Sequence, residues 1–336
     1  MKTYHITESP IRIYGLNTID AKERNFWRLD DQIMKKMPQY SELGKRSVGG
    51  RVRFITNSAG ITIRMELKTL EVDRCMCLPG SAGADIYYGT GEASRFAGYV
   101  APTDYEASSK VVEQKLTKTA GFELVTINLP RNDNLASLEI GIDDDADLFA
   151  PDDYRIEKPI IFYGSSITEG GCAPRPGAAY TSILSRWLDA DYFNYGFSGG
   201  AKGETEFAEY IAAHKNISLF VYDYDHNAPN PEHLQKTHEP FFKIIREAHP
   251  ELPIIILSRP VFDKNIKDSM LRREVIYRTF MNARSSGDDH VYFIDGEQLF
   301  GQTGREECTI DGCHPNALGF MRMAQTIYPL AKNLLK

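Results

Sequence analysis

The sequence has no apolar run approaching the ~20 residues that a membrane-crossing helix needs, so no membrane span is expected. It also lacks any dense Lys/Arg stretch, and its formal charge of −7 argues against a nucleic-acid partner. The opening MKTYHITESPIRIYGL has no basic segment followed by an apolar one, as a secretion signal would. Cytoplasmic location is therefore the default expectation, with a periplasmic or secreted one open should the chain have been trimmed. Cysteine is scarce: the five residues Cys75, Cys77, Cys172, Cys308 and Cys313 close no disulfide framework. Cys75 and Cys77 fall on one face of a strand, but no second pair completes a zinc site. The cysteines are expected as small buried side chains. A local disulfide among Cys172, Cys308 and Cys313 is the alternative, because the last two flank Asp311. The acidic stretch from Asp143 to Asp153 lacks the Gly and closing Glu of an EF-hand, so it reads as a solvated linker and not as a calcium loop.

What is present is enough apolar material for two cores. The 336 residues, 42% hydrophobic and 25% charged, suit two globular domains. Residues 1–150 read as β by period-2 alternation. Arg51–Thr56 and Ile61–Leu67, joined by Asn57-Ser-Ala-Gly60, predict a hairpin. Further strands are expected at Ala84–Tyr88, Phe96–Val100, Phe122–Leu129 and Leu138–Ile142. Several short strands at this spacing predict a β-sandwich of jelly-roll type. Residues 22–36 yield no clear element.

After Pro159 the texture changes. Short apolar runs at Ile160–Tyr163, Ser218–Tyr222, Ile254–Leu257 and Val291–Ile294 alternate with helical stretches. The helices are expected at Ala179–Leu188, Glu204–His214, Pro231–Ala248, Asp268–Ser285 and Ala317–Leu335. Strands apolar on both faces, each followed by an amphipathic helix, predict a parallel sheet covered on both sides over residues 155–336. Ligands bind such sheets beyond the carboxyl ends of the strands.

Four blocks occupy that position. In the first, a strand runs into Gly164-Ser165-Ser166 and a Gly-containing loop, where small residues permit a sharp turn that exposes a hydroxyl. A helix-capping serine would look the same, and the GxSxG elbow is not met, since Thr168 stands in place of its second Gly. The second, Gly196-Phe-Ser-Gly199-Gly200, offers backbone N–H groups to a developing oxyanion. In the third, Asp225-His226-Asn227 follows a buried strand, where polar groups must be paired or used. A metal reading there lacks ligands at sensible spacing, since His233 and His238 do not share a helix face. In the fourth, Asp311-Gly-Cys-His314 places a carboxylate three residues before an imidazole that it can orient.

Together, and in this order, the blocks resemble the SGNH (GDSL-like) hydrolase family, through Ser166, Gly199, Asn227, Asp311 and His314. Two departures stand out: Ser165 replaces the Asp usual before the nucleophile, and Asp225-His226-Asn227 replaces Gly-x-Asn-Asp. Both resemble a subgroup with a Gly-Ser-Ser-Ile-Thr block behind an N-terminal β-sandwich. The resemblance implies a flavodoxin-like three-layer α/β/α domain and ester hydrolysis through an acyl-enzyme. Ser166 would be the nucleophile, His314 the general base and then acid, and Asp311 its orienting carboxylate. The Ser166 and Gly199 N–H groups and the Asn227 amide would form the oxyanion hole, with Gly196 and Gly200 as neighbours able to serve. No metal or organic cofactor is implied. The expected substrate is a small acyl ester, acetyl foremost, on a carbohydrate, with Arg175 and Tyr180 as candidate pocket residues. The alternatives are a lipase or thioesterase on the same scaffold, or a carbohydrate-binding protein without activity. The oligomeric state is not specified.

Overall fold

The computed structural model describes residues 1–336. Its first half contains two antiparallel sheets around one core. One runs in the order Lys2–His5, Leu135–Ile142, Gly60–Leu67, Val111–Thr117. The other runs Leu148–Phe149, Arg51–Thr56, Glu123–Asn128, Ala84–Tyr88, Arg95–Val100, with Arg12–Tyr14 beside Arg51–Thr56. Alternation explains the packing. Ile61, Ile63, Met65 and Leu67 enter the same core as Val52, Phe54, Ile86, Val125 and Ile127 of the second sheet.

The expected hairpin is not formed. Its two arms are both strands, but they belong to opposite sheets. The link between them is tied to Asp143, whose carboxylate accepts from Gly60 N and Ser58 Oγ, each at 2.8 Å. The chain therefore turns a corner of the sandwich there. Alternation alone cannot distinguish the two outcomes, because either pairing buries the same side chains. The acidic stretch is likewise not a free linker: Leu148–Phe149 pairs with Ile55 and Thr56. Residues 22–36, where the sequence shows no clear element, complete a small Thr18–Asp20/Asn25–Trp27 hairpin and then form the helix Asp31–Lys36, capped by Asp30.

The second half is a five-stranded parallel sheet in the order Ala190–Gly196, Ile156–Gly164, Leu219–Asp223, Ile254–Leu257, Val291–Ile294. Taken in chain order this is 2-1-3-4-5, the flavodoxin-like winding, with its switch point beside the first strand. Alternate residues of each strand enter different cores. Ile161, Tyr163, Phe220 and Tyr222 pack under the helices Thr205–Ala212 and Pro231–Ala248. Ile160, Phe162 and Val221 pack under Tyr180–Leu188 and Ala317–Leu334.

One feature crosses the two halves. Leu29, Ile33, Met34, Met37 and Tyr40, all early in the chain, lie in a core of the parallel-sheet half and not in the sandwich. That face of the sheet is finished by residues from the N-terminal region.

Candidate active site

The Ile156–Gly164 strand ends at the sheet's carboxyl edge, and the chain turns directly into the short helix Ser166–Glu169. Gly164 permits the turn, because a Cβ there would lie 2.2 Å from the Asp223 carbonyl oxygen. Ser165 caps this helix: its Oγ accepts from Ile167 N at 3.1 Å. Ser166 is the first helical residue and stays half-exposed. At this position its N–H has no intrahelical acceptor.

The Asp311–His314 turn meets this serine from a region 148 residues later in the chain. Ser166 Oγ and His314 Nε2 are 2.8 Å apart. On the other side of the ring, His314 Nδ1 is 2.8 Å from Asp311 Oδ2. The second Asp311 oxygen accepts from the backbone N–H groups of Cys313 (2.9 Å) and His314 (2.7 Å). Partial burial pushes the Asp311 carboxyl up, but the His314 ring and these N–H groups outweigh it and hold the group below the usual carboxylate range. An ionised Asp311 fixes the imidazole with its Nδ1 proton inward and leaves Nε2 free to accept from the serine.

The second block follows the Ala190–Gly196 strand, and the structure separates its three glycines. Gly196 N donates to Asn194 Oδ1 at 2.9 Å, and Gly200 N donates to the Phe197 carbonyl at 3.1 Å. Gly199 N has no partner within the chain, and the residue is exposed with φ +69°. Asn227, from the third block, braces this loop: its amide nitrogen donates to the Phe197 carbonyl at 2.8 Å and to the Gly200 carbonyl. Asp225 anchors the third block through Arg259 N (3.0 Å) and the Arg272 guanidinium (3.3 Å). His226 stands beside the Asp311–His314 turn, 3.9 Å from Cys313 Sγ. Burial and neighbouring cations lower its pKa to about 3, so it is neutral.

The two candidate pocket residues sit elsewhere. Tyr180 is fully buried and donates to Asp223 Oδ2 at 3.0 Å. Arg175 turns to the N-terminal half, pairing with Asp85 at 3.2 Å and lying over the Phe96 ring. Helix position alone could not show this, since both residues precede or begin a helix whose faces are all covered. All five cysteines are free thiols. Cys75 Sγ, from the N-terminal half, lies 4.0 Å from Asp311 Oδ2.

Sequence reasoning missed a charged cluster at the centre of the site. Glu169, the last residue of the Ser166–Glu169 helix, is completely buried. It meets three guanidiniums from the N-terminal half: Arg28 at 3.0 Å, Arg46 at 3.2 Å and Arg131 at 3.4 Å. Its Oε2 also accepts from Ser198 N at 2.9 Å and from Ser198 Oγ. Burial would raise the Glu169 pKa, but the arginines and Ser198 prevail and bring it to about 2. Also missed was Gly83-Ala-Asp85-Ile86-Tyr87, whose buried Asp85 accepts from Gly177 N (3.0 Å) of the loop beyond Ser166.

The family model described as GDSL-like lipase/acylhydrolase matches residues 157–332. That described as GxDLY, N-terminus of SGNH-hydrolase-type esterases, matches residues 1–148. The buried Gly83–Tyr87 stretch reads as its namesake motif, with Ile86 for Leu. No curated protein matches the chain in sequence. Among solved structures, a protein from Bacteroides ovatus assigned as a GDSL-like lipase superposes with TM-score 0.85 at 29% identity, covering 99% of this chain and 98% of its own. The salicylyl-acyltransferase SsfX3 of a tetracycline biosynthetic pathway superposes at 0.79 and 21% identity, covering 100% and 99%. An acetyl xylan esterase, Est2A, from Butyrivibrio proteoclasticus gives 0.59 at 13% identity, covering 99% and 98%. With half the chain matched by its model and a serine–imidazole–carboxylate relay at the sheet's carboxyl edge, this chain belongs to the GDSL-like lipase/acylhydrolase family.

Proposed function

We propose that the protein is a serine esterase that removes small acyl groups, acetyl foremost, from a carbohydrate. The observation that carries the chemistry is the continuous relay from Ser166 Oγ through His314 to Asp311, with 2.8 Å at each step. Ser166 Oγ attacks the ester carbonyl while His314 Nε2 takes its proton. The tetrahedral oxyanion is received by the N–H groups of Ser166 and Gly199, and by the Asn227 amide if one of its hydrogens turns from the loop carbonyls. His314 then returns the proton to the leaving alcohol. Water, deprotonated by the same imidazole, releases the acid and restores the serine.

The carbohydrate part of the reading draws support from fold relatives. These include the acetyl xylan esterase and a family two carbohydrate esterase from Clostridium thermocellum solved in complex with cellohexaose (TM-score 0.58, 15% identity). A long-chain lipase reading finds less support. The apolar groove along the Ile266–Ser285 helix, lined by Met270, Leu271, Tyr277 and Phe293, lies at the Val291–Ile294 edge strand. That strand is three positions from the nucleophile strand, or about 14 Å across the sheet. A second reading is favoured by the likeness to SsfX3: the acyl-enzyme passes its acyl group to an acceptor hydroxyl in place of water.

The test is acetate release from a panel of acetylated sugars, with Ser166→Ala and Ser165→Ala variants. Ser166→Ala should abolish turnover and keep the fold. A dead Ser165→Ala beside an active Ser166→Ala would show that the nucleophile is misassigned. Adding a free sugar or alcohol acceptor separates the two readings, because transfer yields a new ester at the expense of acetate.

A further inference from the structure

The arginine cluster around Glu169 is out of proportion to any need of the fold. Charges are rarely buried unless paired, and a buried pair adds little stability over apolar residues of the same volume. Here three guanidiniums converge on one carboxylate at a place where the two halves meet. Arg28 is fully buried, donates to the Gly196 carbonyl and lies over the Phe197 ring at 4.4 Å. Arg131, also buried, donates to Ser198 Oγ at 3.2 Å.

The geometry leads to the oxyanion loop. Ser198 directly precedes Gly199, and both its N–H and its hydroxyl are held by Glu169 Oε2. With Ser198 fixed at two points and the Phe197 and Gly200 carbonyls held by Asn227, the loop carrying the Gly199 N–H is held on both sides. Arg131 is also close to the reacting groups. A Cβ at Gly171 would sit 3.2 Å from Arg131 Nη2, 3.3 Å from His314 Cδ2 and 2.9 Å from the Ser166 carbonyl oxygen. Guanidinium and imidazole thus both come within about 3.3 Å of one point beside Gly171. Donors set in advance and backed by fixed positive charge are what a developing oxyanion requires.

Resting on the serine-esterase reading, we infer that Arg131 and Glu169 are positioning residues for hydrolysis. They hold the Ser198–Gly199 loop in its oxyanion-binding geometry, so the N-terminal half acts in turnover itself, for every ester however small.

The experiment uses the full chain and p-nitrophenyl acetate, too small to touch a distant wall. Wild type and variants are first labelled with a fluorophosphonate and the modified residue identified. Absence of label on Ser166 in the wild type would count against the esterase reading and not against the loop. With Ser166 labelled, Arg131→Met should lower kcat on the order of 10²-fold, as a small misplacement near the chemistry does, with KM within about twofold. The Kd for methylboronic acid, which forms a tetrahedral anionic adduct on the serine, should rise in parallel. Arg131→Lys should recover part of both. A folded Arg131→Met with kcat within twofold of wild type, or a loss confined to KM, would overturn the inference. If Arg131→Met fails to fold, Ser198→Ala decides, since it removes the hydroxyl and leaves every charge paired. A fall in kcat of about tenfold is then expected, and an unchanged kcat refutes the role.

Discussion

Two buried carboxylates near Ser166 respond to acid in opposite senses. Asp223 accepts from Thr168 Oγ1 (2.9 Å) and Tyr180 (3.0 Å), yet its other oxygen has no partner. Burial prevails over these bonds and pushes its pKa up to about 7. The folded-state value lies above the unfolded one, so its contribution to stability is complete below about pH 4 and is lost as pH rises through 7. Asp223→Asn keeps an acceptor for Thr168 and Tyr180 and removes the titration. The variant should flatten the stability profile between pH 4 and 7, a slope of up to about 1.4 kcal/mol per pH unit, and raise Tm at pH 8. Parallel profiles for variant and wild type would dismiss this assignment. Glu169 has the reverse sign: its pKa is depressed, so its contribution is lost as pH falls from about 4.5 toward 2. For Asn227, Ala should reduce kcat by ~10²–10³ with KM little changed. An effect on KM alone would make it a substrate contact. At this scale the sequence was most readable where chemistry and local spacing coincide. Asp311 and His314 are three residues apart, so their contact is a property of one turn. Arg28, Arg131 and Glu169 are linked only by the fold, and nothing in the neighbourhood of each announces the others.

Among elements, the nucleophile helix and the second block pack so closely that their glycines differ sharply in tolerance. A Cβ on Gly196 would lie 2.1 Å from Glu169 N and 2.6 Å from the Thr168 carbonyl carbon, backbone against backbone. One on Gly199 meets nothing within 4 Å, and only its φ of +69° is unfavourable. Gly196→Ala should therefore destabilise by about 3 kcal/mol or more and displace Ser166. Gly199→Ala should lose about 1–2 kcal/mol and keep the fold. Urea denaturation orders the two, and the reverse order would contradict this packing. The parallel-sheet elements were legible because strands apolar on both faces and long amphipathic helices leave few alternatives. Pro231–Ala248 is predicted to the residue. In the sandwich, alternation located most of the longer strands, but the polar phase of Arg51–Thr56 does not face solvent. Its Arg51 and Arg53 are buried against the other half, Arg51 over Tyr192 (4.0 Å) and Arg53 over Tyr154 (3.7 Å). Period-2 alternation detects a second environment across a strand and is silent on whether that environment is water. The edge strand Val111–Thr117 was missed because most of its residues are exposed and polar.

For the whole molecule, the shared core and the Glu169 cluster predict that the two halves unfold as one cooperative unit. A fragment of residues 155–336 would lack Leu29, Ile33, Met34, Met37 and Tyr40 from its core and would leave Glu169 without its three cations. Removing the partners of a buried charge costs about 3–5 kcal/mol, a large share of a domain's stability. The fragment should show no cooperative thermal transition, and the full chain should show a single one by calorimetry. Two separate transitions in the full chain, or a stable and active fragment, would refute the coupling. Removal of the N-terminal half should therefore abolish cleavage even of a small activated acetate.

The placement of that early helix also bears on how the protein is made. Residues 29–40 leave the ribosome well ahead of their partners: Tyr40 packs against Phe197 and Phe207, about 160 residues later. At about 5–20 residues per second, the apolar face of Ile33, Met34 and Met37 waits roughly 8–30 s for its counterpart. During translation the nascent chain thus carries an uncovered apolar segment until the second half emerges, a natural target for ribosome-associated chaperones and a point where premature association between neighbouring nascent chains would begin.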